Sequence, residues 1–117
     1  MKGENKLLIE KSLTQTIEKE FFLNVYQNLS AHIQDNTSLK SNSMQTKIEE
    51  QYSLESDNST FDFQTDCEVK AGNQILHQVG DTQIVTKKDC VIIKAGGVEV
   101  IIDSNGLVVK GGELKAE

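Results

Sequence analysis

Turn-forming residues recur about every eight residues along most of this 117-residue chain. Between them lie short runs in which apolar residues recur at alternate positions, as in Phe21, Leu23 and Val25. Alternation with period two is typical of a β-strand with one buried face, so each unit predicts one short strand and one turn. Such units cannot close a core alone, so the chain must wind into a solenoid or share its apolar face with copies of itself. The turn markers are Asn28, Asn36, Asn58, Asp66, Asn73, Asp81, Asp89, Gly97, Asn105 and Gly112.

The first repeats allow a second interpretation. From Ile9 to Ile33 an apolar residue follows every four residues, a spacing that also fits one face of a helix. A strict period of four drifts by about 40° per step around a helix of 3.6 residues per turn, so the stripe would leave that face. The segment is also rich in Thr, Asn and Ser. We therefore expect strands, with a helical coiled coil followed by a small β-domain as the alternative.

The repeat is weakest between Thr37 and Thr60. Leu39 keeps the earlier phase, whereas Met44 and Ile48 imply a shift of one residue. A unit of seven or nine residues, or a small bulge, would absorb this shift. The most strand-like runs follow later, at 91–93, 98–102 and 107–109, where aliphatic residues occupy both parities. This mixed phase indicates a section with both strand faces covered, or a tighter cap.

The length of the repeat predicts a stoichiometry. Eight residues suffice for about one side of a prism, so three chains would close a triangle and satisfy their backbone hydrogen bonds between chains. With strands ~4.8 Å apart, about thirteen units would form a rod roughly 60 Å long. The predicted fold is all-β, an intertwined triple-stranded β-helix formed by an obligate homotrimer. The residues expected to form its axial core are Phe21, Val25, Leu29, Ile33, Val98, Val100 and Ile102.

Composition argues against several classes of function. The net charge is −6 and no basic patch is visible, so nucleic acid is not an expected partner. No signal peptide precedes the repeats, and no stretch approaches the ~20 apolar residues of a membrane helix, which fits a cytoplasmic origin. No catalytic constellation is recognisable, so neither an enzyme nor a cofactor is expected.

Three side chains are weak site candidates. His77 shares the parity of Ile75 and Val79, so three copies would form an axial ring that holds water, an anion or a metal. The plainer interpretation is a solvated or stacked histidine. No metal site is expected. Cys67 and Cys90 form no CxxC motif. They are expected to be small, partly buried residues in a reducing compartment, with a disulfide as the alternative.

The stretch from Ile93 to Leu114, IKAGGVEVIIDSNGLVVKGGEL, resembles the end of VgrG proteins, the trimeric spikes of bacterial type VI secretion systems. Earlier repeats, such as Leu76–Asp81, are similar to the repeats of the same needle, and bacteriophage tail spikes share the architecture. The similarity extends over residues 7–117. Many repeats lack the Val-Gly pair that is typical of the family, of which Val79-Gly80 is the clear instance.

The resemblance implies a needle that a contractile apparatus pushes outward through a target membrane. It implies a small PAAR-type tip protein on the blunt C-terminal end, and contact with the secretion tube and effectors through an N-terminal hub that this chain lacks. The protein would then reside in the bacterial cytoplasm before firing and outside the cell, or in a target cell, afterwards. The candidate tip-protein contacts are Gly111, Gly112, Glu113, Leu114, Lys115, Ala116 and Glu117.

These expectations divide the chain into a frayed segment (1–8), a shaft of eight-residue repeats (9–89) and a C-terminal tip section of the same needle (90–117). The alternative function is a phage tail spike or an adhesion or glycan-binding fibre. That function would require exposed aromatic platforms or a globular head, and the sequence offers neither clearly.

Overall fold

The computed structural model describes residues 3–115 of the chain. Four residues lie outside this range. They are the first two residues of the predicted frayed segment and the last two candidate tip contacts, at positions 116 and 117. The chain divides into two compact units, residues 1–52 and 53–117. The described residues contain β-strands and no helix, so the all-β prediction is confirmed and the helical alternative for residues 9–33 is wrong.

The five strands form one open antiparallel sheet in which each strand pairs with its neighbour in the chain. The predicted strand-like runs at 91–93, 98–102 and 107–109 all lie in these strands. The strands are β1 (Gln74–Val79), β2 (Thr82–Lys87), β3 (Val91–Ala95), β4 (Val98–Asp103) and β5 (Gly106–Lys110).

Glycine lies in two of the four turns of this sheet and directly after a third, whereas the β2–β3 turn at Lys88 and Asp89 reverses without one. The favoured two-residue hairpin turns require a positive φ, which glycine adopts without a steric penalty. Gly80, Gly96 and Gly97 have φ of 56°, 57° and 84°. In the last turn Gly106 has a φ of 119°, and Asp103 Oδ1 accepts a hydrogen bond of 2.8 Å from the backbone N–H of Asn105. The expectation that neighbouring strands come from different chains is therefore wrong for residues 74–110.

Residues 3–73 have a different backbone, with irregular segments separated by bends and no paired strand. The bends begin at residues 10, 18, 26, 34, 42, 49, 57, 64 and 72. This periodicity confirms the eight-residue repeat. The interval from 42 to 49 is seven residues, which confirms the predicted change of phase, and a second seven-residue interval follows from 57 to 64.

The strands predicted for residues 9–73 are thus absent from a single chain. A strand needs a neighbour for its backbone hydrogen bonds, and no part of this segment folds back to pair with another part. Local contacts are those of an extended backbone: Lys70 Nζ lies 2.8 Å from Glu68 Oε1, two residues away on the same side of the chain.

The chain exposes far more surface than a compact protein of its size. Its accessible surface is 13059 Å², whereas a compact monomer of this mass exposes about 6,300 Å². Among the described residues Val85 is the one buried apolar side chain, at 9% exposure. The apolar residues that a core would enclose therefore lie on the surface of the single chain.

Candidate assembly interface

One face of the sheet is apolar across all five strands, and it is the leading candidate for a functional surface. Side chains alternate along each strand, and the strand register therefore assigns every residue to one of two faces. We call the first the apolar face. It consists of Ile75, His77, Val79, Thr82, Ile84, Thr86, Val91, Ile93, Ala95, Val98, Val100, Ile102, Leu107 and Val109.

The apolar face carries no Asp, Glu, Lys or Arg. Several of its aliphatic side chains are exposed, for example Ile84 at 46% and Ile102 at 47%. An exposed, contiguous apolar patch of this kind is typical of a surface that another protein covers. The predicted axial residues Val98, Val100 and Ile102 all lie on it, and their position at an axis stays a prediction.

The opposite face, which we call the mixed face, has a single apolar row with polar rows on both sides. In the register, the apolar residues of adjacent strands lie directly opposite each other and form a continuous line across the sheet. That line is Leu76, Val85, Ile92, Ile101 and Val108. Direct cross-strand apolar pairs stabilise a sheet by about 0.2–1 kcal/mol each, so this row holds the hairpins together.

Charged side chains flank that row on the mixed face. Lys94 is opposite Glu99, and Glu99 is also opposite Lys110 on the next strand. These alternating charges favour contact with water on the mixed face. The mixed phase of the aliphatic residues predicted two covered faces or a tighter cap. In the structure these residues form one broad apolar face and one narrow apolar row on the other face.

His77 lies on the apolar face, directly opposite Ile84 and between Ile75 and Val79 along its own strand. It is exposed in the single chain. The residues described include no group of three or more His, Cys, Asp or Glu side chains arranged to hold a metal ion. An axial ring of three His77 side chains stays a prediction.

The C-terminal tip segment continues from β5 along the beginning of β4. A Cβ atom at Gly111 would overlap the carbonyl oxygen of Gly97, and one at Gly112 would lie 2.8 Å from Val98 Cγ2. Both glycines thus allow the chain to run close against the β3–β4 turn. Glu113, Leu114 and Lys115 follow with their side chains exposed, and the ammonium group of Lys115 lies 3.8 Å from the carboxylate of Glu113.

In residues 3–73 the bends reveal a position that the sequence analysis missed. The large apolar residue directly before a bend is 40–55% exposed, whereas every other large apolar residue of this segment is 59–99% exposed. The position directly before a bend is therefore the least exposed apolar position of each repeat. The residues before the bends are Ile9, Ile17, Val25, Ile33, Ile48 and Phe63.

Of the predicted axial residues in this segment, Val25 and Ile33 precede bends, and Phe21 and Leu29 lie midway between bends and are more exposed. The spacing of four placed all four residues in one row. An alignment of the repeats by eight instead of four would have separated the two kinds of position, because Ile9, Ile17, Val25 and Ile33 recur every eight residues.

Both cysteines are free, with Cys67 exposed and Cys90 partly buried. No helix within residues 3–115 is long and apolar enough to span a membrane. Among the described residues, no buried side-chain N or O atom lacks a hydrogen-bond partner.

Comparison with known proteins gives no match to a family model, to a curated protein or to a solved structure. The functional proposal therefore rests on the geometry above together with the resemblance of residues 93–114.

Proposed function

We propose that the chain is the needle section of a VgrG-type type VI secretion spike, a rigid homotrimeric shaft that punctures a target membrane during delivery. In this proposal residues 111–117 form the platform for a PAAR-type tip protein. The needle itself performs no chemistry. The observation that carries the proposal is the bend every seven or eight residues in a segment without strand pairing of its own.

The dimensions of the repeat support three chains. A triangle whose sides are six extended residues, roughly 20 Å, has each side about 6 Å from the axis. That distance is close to half of the ~10 Å at which packed sheets face each other, so inward side chains would meet at the axis. Four such sides would lie about 10 Å from the axis and leave its centre empty.

The backbone supports three sides over two. A two-sided sandwich requires strands that reverse and pair at every repeat, as residues 74–110 do. Residues 3–73 bend at every repeat without forming such a pair. Three copies with the same bends would supply each other with the backbone partners that a single chain lacks.

The surface supports an assembly of identical chains. Both the apolar face and the residues before the bends are exposed in one chain, whose accessible surface is 13059 Å². Identical chains related by a closed symmetry bury such surfaces without leaving an open edge.

Tip binding is tested with the full chain and with a variant that ends at Lys110. A PAAR-type protein, added at micromolar concentration, should co-sediment with the full chain and not with the shortened variant. Both proteins are first checked for the same oligomeric state, so that loss of the platform is separated from loss of the trimer. Equal binding to both would contradict a platform at residues 111–117.

A further inference from the structure

We propose that the sheet of residues 74–110 is the part of the chain at which three copies first associate, and that it sets the register in which residues 9–73 then wind together. The apolar face is the contact surface, and its occupants are two further copies of the same chain. The inference rests on the proposed trimer and adds to it an order of assembly and a distinct role for the C-terminal sheet.

The first argument is which backbone hydrogen bonds each segment can form alone. Four consecutive strand pairings satisfy most backbone groups of residues 74–110 within one chain. Their turns are two residues long or nearly so, hence the entropy cost of closing each hairpin is small. A single chain can therefore present this sheet before it meets another.

Residues 3–73 cannot be ordered in the same way. They form no strand, and all of their side chains are exposed. Ordering a backbone residue costs about 1–2 kcal/mol of conformational free energy, which local ion pairs such as Lys70–Glu68 do not offset. Their order must come from neighbouring chains, so it follows association.

The second argument is the area of the apolar face. Five strands ~4.8 Å apart and about 18 Å long cover roughly 430 Å² in projection. Three such faces together present about 1,300 Å² of apolar surface that the proposed trimer would cover. The face carries no formal charge, so the three copies meet without like-charge repulsion.

The third argument is register. Repeats of almost equal length allow one chain to slip by a whole unit against its neighbours at the loss of a single layer of contacts. A trimeric sheet that begins at Gln74 would hold the three preceding segments together at one position and at high effective concentration. Winding would then proceed from residue 73 toward the N-terminus in one register.

The test uses the full-length chain with single charges placed on either segment. Val100→Asp places a carboxylate on the apolar face, and Val25→Asp places one at the position directly before a bend. The controls are Gln74→Asp on the mixed face and Gln27→Asp at a bend. Sedimentation reports the oligomeric state, and amide hydrogen exchange reports order in each segment.

We expect Val25→Asp to remain trimeric, with exchange in 74–110 unchanged and exchange around residues 17–33 at least about tenfold faster. We expect Val100→Asp to be monomeric, with residues 9–73 exchanging as an unfolded chain. A trimeric Val100→Asp, or a monomeric Val25→Asp, would overturn the order of assembly. A wild-type chain that is itself monomeric would instead contradict the proposed needle.

Refolding of the wild type provides a second measurement that needs no variant. Pulsed hydrogen exchange should show amides of residues 74–110 protected before those of residues 9–73, and protection of the earlier segment should become faster as protein concentration rises. Protection of residues 9–73 first would contradict the inference.

Discussion

Two glycines next to the ends of the sheet, Gly72 and Gly111, differ in their backbone conformation and in the space around them. Gly111 combines a φ of 76° with a backbone contact that leaves no space for a Cβ, whereas Gly72 has an ordinary φ and open space around it. We expect Gly111→Ala to destabilise the sheet by about 1–3 kcal/mol, and Gly72→Ala to change stability by about 0.5 kcal/mol or less. Thermal unfolding of the two variants measures the difference, and an equal effect would contradict this description of the C-terminal segment.

Charge on the apolar face provides the second prediction at the scale of single residues. Ile102→Asp, like Val100→Asp, would place three like charges around one axis, and removing them from water costs several kcal/mol per ion. We expect both variants to lose the trimer at micromolar concentration, and Gln74→Asp, opposite Lys87 on the mixed face, to keep it. Sedimentation velocity distinguishes these results. A normal trimer in both variants would show that the face is assigned incorrectly.

The face of the sheet on which each residue of 74–110 lies could be predicted from the sequence. Alternation places Ile75 and Val79 on one face, and Val98 and Val100 on one face, whether the neighbouring strand belongs to the same chain or to another. The unequal exposure of Val25 and Phe21 could not be obtained from a spacing of four. It depends on where each bend begins, and bends at Glu10, Glu18 or Tyr26 contain no glycine or proline that would mark them.

At the scale of structural elements, the repeat predicts which deletions the chain tolerates. Deleting residues 18–25 removes one complete interval between bends, so the remaining bends keep their spacing. We expect this deletion to retain the trimer and to shorten the shaft by about 4.8 Å. Deleting residues 21–24 removes half an interval and no bend, displaces the preceding bends relative to the following ones, and should leave residues 3–20 unprotected in hydrogen exchange.

Small-angle scattering and hydrogen exchange on both deletions, with the wild type as control, measure these effects. If the half-interval deletion were as well ordered as the full one, the repeat would not be the structural unit.

The strands of the sheet could be predicted from sequence, and their pairing could not. The Val- and Ile-rich runs identify β3, β4 and β5, but the parity of a run is the same whether its neighbour belongs to its own chain or to another. The observed register decides the matter, because each strand from Gln74 to Lys110 pairs with the next strand of its own chain. The chain changes from bends to reversals at the point where glycines begin to recur, near Gly72. The predicted boundary between shaft and tip section, before Cys90, stays a prediction.

At the scale of the whole molecule, one chain exposes apolar surface that it cannot bury by itself. Each repeat supplies only one short segment, which is too little to form a core. The chain therefore has an accessible surface about twice that of a compact monomer. The number of copies proposed to bury it is an inference from the length of the repeat and from the unpaired bends. The proposed function, a delivery needle with a tip platform, rests in addition on the resemblance of residues 93–114.

The mass of the purified protein in solution tests the central claim most directly. Sedimentation equilibrium over a range of concentrations gives that mass without assuming a shape. The account predicts a single species of three times the 13.0 kDa chain, about 39 kDa, that persists on dilution to micromolar concentration. A stable monomer of 13.0 kDa, or a dimer, would contradict it.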